Sequence, residues 1–341
     1  MTHDTFPMVT TYSMWNQFRN CRKAAELRYL QHLVPLERDR NLHFGSLIHE
    51  CLELWHGQRD LARMLDLIDR RCAARAQDED QKRDWHLATA MMRAYAERYA
   101  KEEFEVVALE HVFEGPIVNP ATGASSRSFR LAGKVDGIVR IDGEYFILEH
   151  KTASQIDSDY LERLWTDFQI TLYAHYVEQT LGIPITGILY NVLVKARLQQ
   201  SRGETEEEFE ARRAELLAKS KTGRTTARRR DPESDEDFQR RLAEKYADPA
   251  IFHRERLYLS RDRFDVLRAE LWELTQAFLD ARRRGVFYQN TSFCFNYQRP
   301  CPYFALCRSN GNPNVIENFY QRAEPNEELR VLAAGSSEPA F

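Results

Sequence analysis

The chain has 341 residues, 43% hydrophobic and 29% charged, with 48 basic against 52 acidic side chains and a formal net charge of −4. These figures exclude a collagen-like, mucin-like or wholly disordered polymer and a histone-like binder driven by bulk positive charge, and they leave room for one large domain or two small ones. No run approaches the roughly 18 apolar residues of a membrane span, and Met1-Thr2-His3-Asp4 lacks the basic start and apolar core of a secretory signal; the expectation is a soluble, cytoplasmic protein with no membrane partner.

Taken in order, Trp15, Phe18, Ala25, Tyr29 and Leu33 recur at helical spacings and predict a helix from 14 to 33, capped by Ser13 and carrying Cys21. Phe44, Leu47, Ile48, Cys51, Leu52 and Trp55 make one apolar face of a core helix beginning near Gly45. Helices over 60–76 and 80–101 follow, rich in Ala, Arg, Leu and Glu. The period then changes: 106–113 reads as a strand, a Pro/Gly/Asn/Ser-rich loop follows, and two apolar strands flank Asp142-Gly143. A helix over 159–181 ends at Gly182, and 185–194 is a further strand. This order predicts a mixed α/β (α+β) core rather than a regular βα repeat.

Residues 198–248 are almost wholly polar, with basic residues at Lys219, Lys221, Arg224, Arg228, Arg229 and Arg230. Thr205 with Glu208 and Ser234 with Asp237 mark two helix starts, so the segment reads as an insertion, helical at both ends around a mobile basic loop. A helix over 261–284 follows, and the polar, Ser/Gly/Pro-bearing tail over 323–341 is expected to be disordered.

Asp142-Gly143 between two apolar runs is a favoured two-residue hairpin turn. With Ile141 paired to Glu144, counting back puts Asp136 opposite Glu149, with Lys151 on the same face. Val135, Val139, Phe146 and Leu148 fall on one face and Ile138, Tyr145 and Ile147 on the other. Facing acids in a strand buried on both sides are costly unless a cation lies between them. A divalent ion of the Mg²⁺ or Mn²⁺ type meets that need, with Lys151 placed to orient water or stabilise developing charge. The plainer reading makes Asp136 and Lys151 strand-end charges and pairs Glu149 with Lys134 or Lys151.

Read together, Gly45-Ser46-Leu47-Ile48-His49, Asp136, Glu149-His150-Lys151 and Gln169-Ile170-Thr171-Leu172-Tyr173 resemble, in their order, the motifs of the PD-(D/E)xK nuclease superfamily, RecB-like branch, which includes Cas4 and the AddB nuclease domain. The resemblance covers most of 10–195 and the cysteine segment; Val135 stands where the superfamily's name has proline. It implies a restriction-endonuclease-like core of mixed sheet and flanking helices. It also implies catalysis by Asp136, Glu149 and Lys151, and a metal held by His49, Asp136, Glu149 and the backbone carbonyl of His150. By itself His49 also reads as a satisfied core histidine. Gln169 and Tyr173 share a helix face able to touch a phosphate or base, or simply lie at the surface. Glu110 is a candidate outer acid.

Cys294, Cys301 and Cys307 lie close in sequence, and six cysteines are too few for a disulfide scaffold at this length. With Cys21 as a fourth ligand they match the resemblance's [4Fe–4S] pattern, though the gap between Cys294 and Cys301 is longer than in those relatives. Zinc on four thiolates fits the count equally, and free thiols are the plain alternative. Cys51 and Cys72 have apolar helical neighbours and read as core.

The chain is thus expected to form one nuclease domain over 1–320. Its parts are a helical region (10–105), a catalytic core (106–195), the insertion (198–248) and a cysteine segment (290–310). The expected activity is Mg²⁺/Mn²⁺-dependent exonucleolytic hydrolysis of single-stranded DNA or DNA ends in processing, recombination or repair, beside helicase or recombination partners. The basic run 219–230 would guide the strand, or be merely a solvated charge run. The competing expectations are a catalytically inactive DNA-binding module and a zinc-bound interaction protein.

Overall fold

The computed structural model describes residues 7–37, 40–73, 78–296 and 299–324, together with 326 and 329. The end of the helix predicted over 60–76 (74–76) and nearly all of the predicted disordered tail lie outside the described residues. Strand β1 (Met8–Thr10) leads into α1 (Tyr12–Asn20), α2 (Arg22–Ala25) and a π-turn, Glu26–Leu30. Then come β2 (Leu33–Pro35), α3 (Arg40–Gln58), α4 (Leu61–Ala73) and α5 (Glu79–Arg98). Strands β3 (Glu105–Val118), β4 (Ser125–Ile141) and β5 (Glu144–Ala153) run antiparallel, and α6 (Ser158–Leu164) and α7 (Phe168–Leu181) cross to β6 (Ile185–Val194). Helices α8 (Glu206–Lys219) and α9 (Asp235–Tyr246) occupy the insertion, before β7 (Phe252–Tyr258) and α10 (Asp262–Arg284). The chain closes with β8 (Phe295–Asn296), β9 (Arg299–Pro300), α11 (Phe304–Arg308), α12 (Pro313–Phe319) and β10 (Tyr320–Arg322).

The main sheet has the order β1-β4-β5-β6-β7, with β3 on β4. One edge of β4 carries β3 along most of its length. The other edge is divided between β1, parallel over Phe129–Leu131, and β5, antiparallel from Gly137 onward. Asp136 lies where β4 leaves β5. Helices α1, α7 and α10 pack on one face through Trp15, Phe18, Leu172, Val177, Leu271 and Phe278. On the other face α3, α4, α5 and α9 gather around Ile48, Leu52, Met64, Met91, Tyr95 and Phe238. The expected mixed sheet between helical layers is present.

Three elements differ from the sequence expectation. The helix predicted over 14–33 starts two residues earlier, capped by Thr11, whose hydroxyl accepts the Met14 amide, and it breaks at Cys21, which is extended (φ −156°, ψ 110°). Cys21 therefore sits at a helix junction, not inside a helix. The helix predicted over 159–181 is two, because Asp157 caps the first and Asp167 the second, each taking a first-turn amide on its carboxylate. The insertion is helical at both ends as expected, with the Thr205/Glu208 capping box complete. Its second helix is not wholly solvated, since Phe238, Leu242 and Tyr246 are buried against the α3–α5 layer.

Candidate active site and cysteine segment

The hairpin closes on Asp142 and Gly143 with φ of +53° and +87°, the left-handed pair that a two-residue turn needs. The predicted register holds from Ile141 with Glu144 back to Gly137 with Leu148. There the two strands part, and Asp136 spans the fork, its Oδ2 accepting the backbone N–H of His150 at 2.7 Å. The predicted side-chain alternation slips at this point: Val135 packs in the cluster of Ile138 and Ile147, not with Val139, Phe146 and Leu148. The slip falls on Asp136, the first residue of β4 outside the ladder with β5, where that pairing no longer dictates orientation.

His49 on α3 brings Nδ1 to 3.1 Å from Asp136 Oδ1. Burial opposes protonation of His49, yet the hydrogen bond to Asp136 and that residue's charge prevail and raise its pKa. Burial likewise pushes Asp136 upward, but the His49 contact and the His150 amide hold its carboxyl well below the usual range. Glu149 is 7% exposed, and burial raises its pKa against the opposing pull of Lys151. Lys151 Nζ lies 2.6 Å from Glu149 Oε1 and 3.2 Å from Gln169 Oε1, while Gln169 Nε2 reaches the same glutamate oxygen at 3.3 Å. Burial would lower the Lys151 pKa, but the facing Glu149 raises it, so the ammonium keeps its charge. The buried Glu149 carboxylate thus faces one ammonium, and the half-buried Asp136 carboxylate one imidazole and one backbone amide.

The donor types suit a hard divalent ion: carboxylate oxygens from Asp136 and Glu149 and a nitrogen from His49. Among the described residues, however, no three His, Cys, Asp or Glu side chains are drawn together closely enough to hold an ion. Glu149 is turned to Lys151 instead. The ladder pairs adjoining Asp136 on β3 are Leu109 with Gly137 and His111 with Val135, which brackets Glu110. Glu110 has φ +49°, a conformation that side-chain-bearing residues seldom adopt, and its carboxylate pairs with Lys134. Lys134 is therefore engaged away from Glu149. The plainer sequence reading is right that Glu149 pairs with Lys151.

Of the other predicted residues, Gln169 enters the site through the contacts above. Tyr173 packs between Tyr12 and Phe113, at ring separations of 6.3 and 5.2 Å, and burial raises its pKa. Of the basic insertion residues, Lys219 pairs with Glu215, Arg229 with Glu206 and Arg230 with Glu204, and the backbone carbonyl of Arg228 accepts from Arg212. Lys221 and Arg224 are exposed.

Cys21, Cys301 and Cys307 border one apolar cluster with Ala24, Leu27, Leu33, Tyr303, Leu306 and Tyr320. Burial raises the thiol pKa of Cys301 and Cys307, and Cys21 and Cys294 are near enough to raise both further. The segment is tied to the start of the chain: the Asn290 amide reaches Cys21 Sγ at 3.5 Å, its side chain donates to the Asn20 carbonyl at 2.9 Å, and β10 pairs with β2. The four cysteines thus lie in one neighbourhood, but among the described residues no three of them are close enough to hold a metal ion. Cys51 is buried in the α3–α5 core as expected, and Cys72 packs at its margin.

No curated protein matches the chain. Among solved structures, the crystal structure of SSO0001 matches at 12% identity over 69% of this chain and 83% of that one; a TM-score of 0.20 gives the likeness no weight. The family model of the PD-(D/E)XK nuclease superfamily matches residues 10–308, from the first helix through the last cysteine. The span takes in both strands of the fork, the histidine helix and the cysteine segment, and the mixed sheet is of the restriction-endonuclease-like kind. The chain belongs to the PD-(D/E)XK nuclease superfamily.

Proposed function

We propose that the chain is a Mg²⁺- or Mn²⁺-dependent deoxyribonuclease of the RecB-like branch, akin to Cas4, acting as an exonuclease on single-stranded DNA or DNA ends during processing, recombination or repair. The observation that carries this reading is the meeting of Asp136, Glu149 and Lys151 at the fork of β4 and β5, with His49 bound to Asp136. Asp136, Glu149, His49 and the backbone carbonyl of His150 would hold the ion. When bound, it supplies Lewis acidity toward a phosphoryl oxygen and lowers the pKa of a water.

The chain's own residues do the rest. Asp136 and Glu149 fix the negative end of the site. Once Glu149 turns away from it, Lys151 offers its ammonium to the phosphoryl oxygens as charge builds on them. Gln169 Oε1 keeps that ammonium from swinging into solvent. The run from Lys219 to Arg230 guides the strand. Cys21, Cys294, Cys301 and Cys307 would hold a [4Fe–4S] cluster, with zinc as the alternative; the packing of the cysteine segment against the first helix junction, with the Asn290 amide on Cys21 Sγ, supports either.

The test is a time course on end-labelled single- and double-stranded DNA with Mg²⁺ and with Mn²⁺. Wild type is expected to release nucleotides from ends, whereas folded Asp136→Ala and Lys151→Ala proteins are not. Either variant cutting at the wild-type rate overturns the mechanism, and a wild type that binds DNA but releases nothing makes the chain an inactive binding module. A brown preparation marks the iron–sulfur cluster; a colourless one containing zinc replaces it.

A further inference from the structure

His150 is the middle residue of Glu149-His150-Lys151, and strand alternation sends its ring away from both neighbours. It is 2% exposed. The ring stacks on His56 of α3 at 5.2 Å and 9°, and it meets His49, two turns earlier on that helix, edge-on at 5.8 Å. The helix that delivers His49 to Asp136 is therefore seated on His150. Sheet register continues the row sideways: His150 pairs with Asn191 on β6, and Asn191 with Arg254 on β7.

Counting donors settles how this row is wired. Arg254 can only donate, so Asn191 Oδ1 accepts from its Nε at 3.3 Å and the Tyr95 hydroxyl oxygen from its Nη2 at 2.9 Å. The amide nitrogen of Asn191 then gives one proton to the Tyr95 oxygen and the other to His150 Nδ1, each at 2.9 Å. Having accepted twice, Tyr95 turns its own proton to His56 Nε2 at 3.3 Å. Glu102 anchors the far end, holding Arg254 at 2.5 and 2.9 Å. Each hydrogen bond along the row has one consistent direction, and His150 is held as the tautomer protonated on Nε2.

Tyr95 and Asn191 are fully buried, and the Glu102 side chain is 3% exposed. A buried ion pair and a polar row give little net stability compared with apolar packing of the same volume. What this one does supply is orientation. We propose that Arg254, Asn191 and Tyr95 are positioning residues: acting through His150, they fix the amide that holds Asp136 and the seat of the helix that carries His49. The proposal rests on the nuclease reading above.

The test uses the full chain with Tyr95→Phe, which removes one hydroxyl and keeps the ring, and with Asn191→Leu. Mn²⁺ binding is followed by the loss of the free-ion electron paramagnetic resonance signal, and kcat and KM are measured on single-stranded DNA. Both variants are expected to lose about tenfold in Mn²⁺ affinity and in kcat, with KM moving by less than about twofold. Phe278→Leu, a core change on the opposite face of the sheet, is expected to lower stability and leave Mn²⁺ affinity unchanged. Should Asn191→Leu fail to fold, Tyr95→Phe decides alone. Wild-type affinity and kcat in folded Tyr95→Phe, or an equal loss of affinity in Phe278→Leu, overturns the proposal. A wild type that binds Mn²⁺ but cleaves nothing removes the nuclease reading, and the affinity comparison still decides the role of the row.

Discussion

The fork of β4 and β5 and the cysteine segment both gather candidate metal ligands, and they differ in what meets the charge on those ligands. At the fork, Asp136 is pulled well down by His49 and the His150 amide, and Lys151 stays charged against Glu149. In the cysteine segment burial pushes the Cys301 and Cys307 thiols upward, toward the neutral form. The supports differ in kind as well. Hydrogen bonds set the fork, whereas the cysteines sit on packed rings, Tyr303 stacked on Tyr320 at 5.9 Å, with the Tyr303 hydroxyl donating to the Leu33 carbonyl at 2.8 Å. Lys151 and His49 can therefore preserve the fork with no ion bound. Thiols require an ion to take the place of their protons.

The sharpest way to break this contrast is Asp136→Asn. The amide oxygen can still accept the His150 N–H, so the fold should survive while the charge is lost; nucleotide release with Mn²⁺ is expected to fall about a thousandfold. Unchanged release means that Asp136 does not serve the reaction. Cys301→Ser probes the other side. Bound iron or zinc should fall below about a tenth of the wild-type content, and the protein should melt at lower temperature, while the rate falls less than about tenfold. A rate as low as that of Asp136→Asn makes the two regions one working unit.

The fork was legible because its signals are local. Asp142-Gly143 sets the turn, period two sets the faces, and simple counting carries Asp136 to the level of Glu149. What the pattern could not show is where pairing ends, since nothing in Val135-Asp136-Gly137 marks the slip in alternation. Thr11, Asp157 and Asp167 are capping residues that do carry a signal, each standing two or three residues ahead of an amide it accepts, and they account for the helices placed wrongly at 14–33 and 159–181. The row behind the site had no signal at all. His56, Tyr95, Glu102, Asn191 and Arg254 come from five separate elements or loops and meet only because β5, β6 and β7 align in a particular register.

That row predicts an acid-labile fold. Burial, foremost, holds His56 down to about 2 and His150 to about 3. The unfolded chain takes up a proton on each from about pH 6.5 downward, while the folded chain does not until those lower values. Stability is thus complete above about pH 6.5 and falls below it, by roughly 1.4 kcal/mol per pH unit for each histidine. Urea unfolding at pH 7, 6 and 5 measures the slope, and His56→Asn should reduce it by about one proton's worth. Equal slopes in the two proteins rule out a neutral, buried His56.

The smallest expected effect lies in the insertion and tests whether its charge is available to a strand. Arg229 and Arg230 face Glu206 and Glu204, at 3.3 and 3.9 Å, and Glu204 also holds Arg212 at 2.5 and 2.7 Å. A phosphate must compete with those carboxylates. Lys221 and Arg224 are exposed on the turn between the two helices and meet no such competition in the ion pairs of the described residues. Each lost contact to single-stranded DNA lowers the slope of log K against log salt by about 0.7. The double change Lys221→Ala/Arg224→Ala should therefore lower it by about 1.4, and Arg229→Ala/Arg230→Ala by less. Slopes that stay at the wild-type value in both remove the insertion from the strand's path and leave binding to the fork and the surfaces around it.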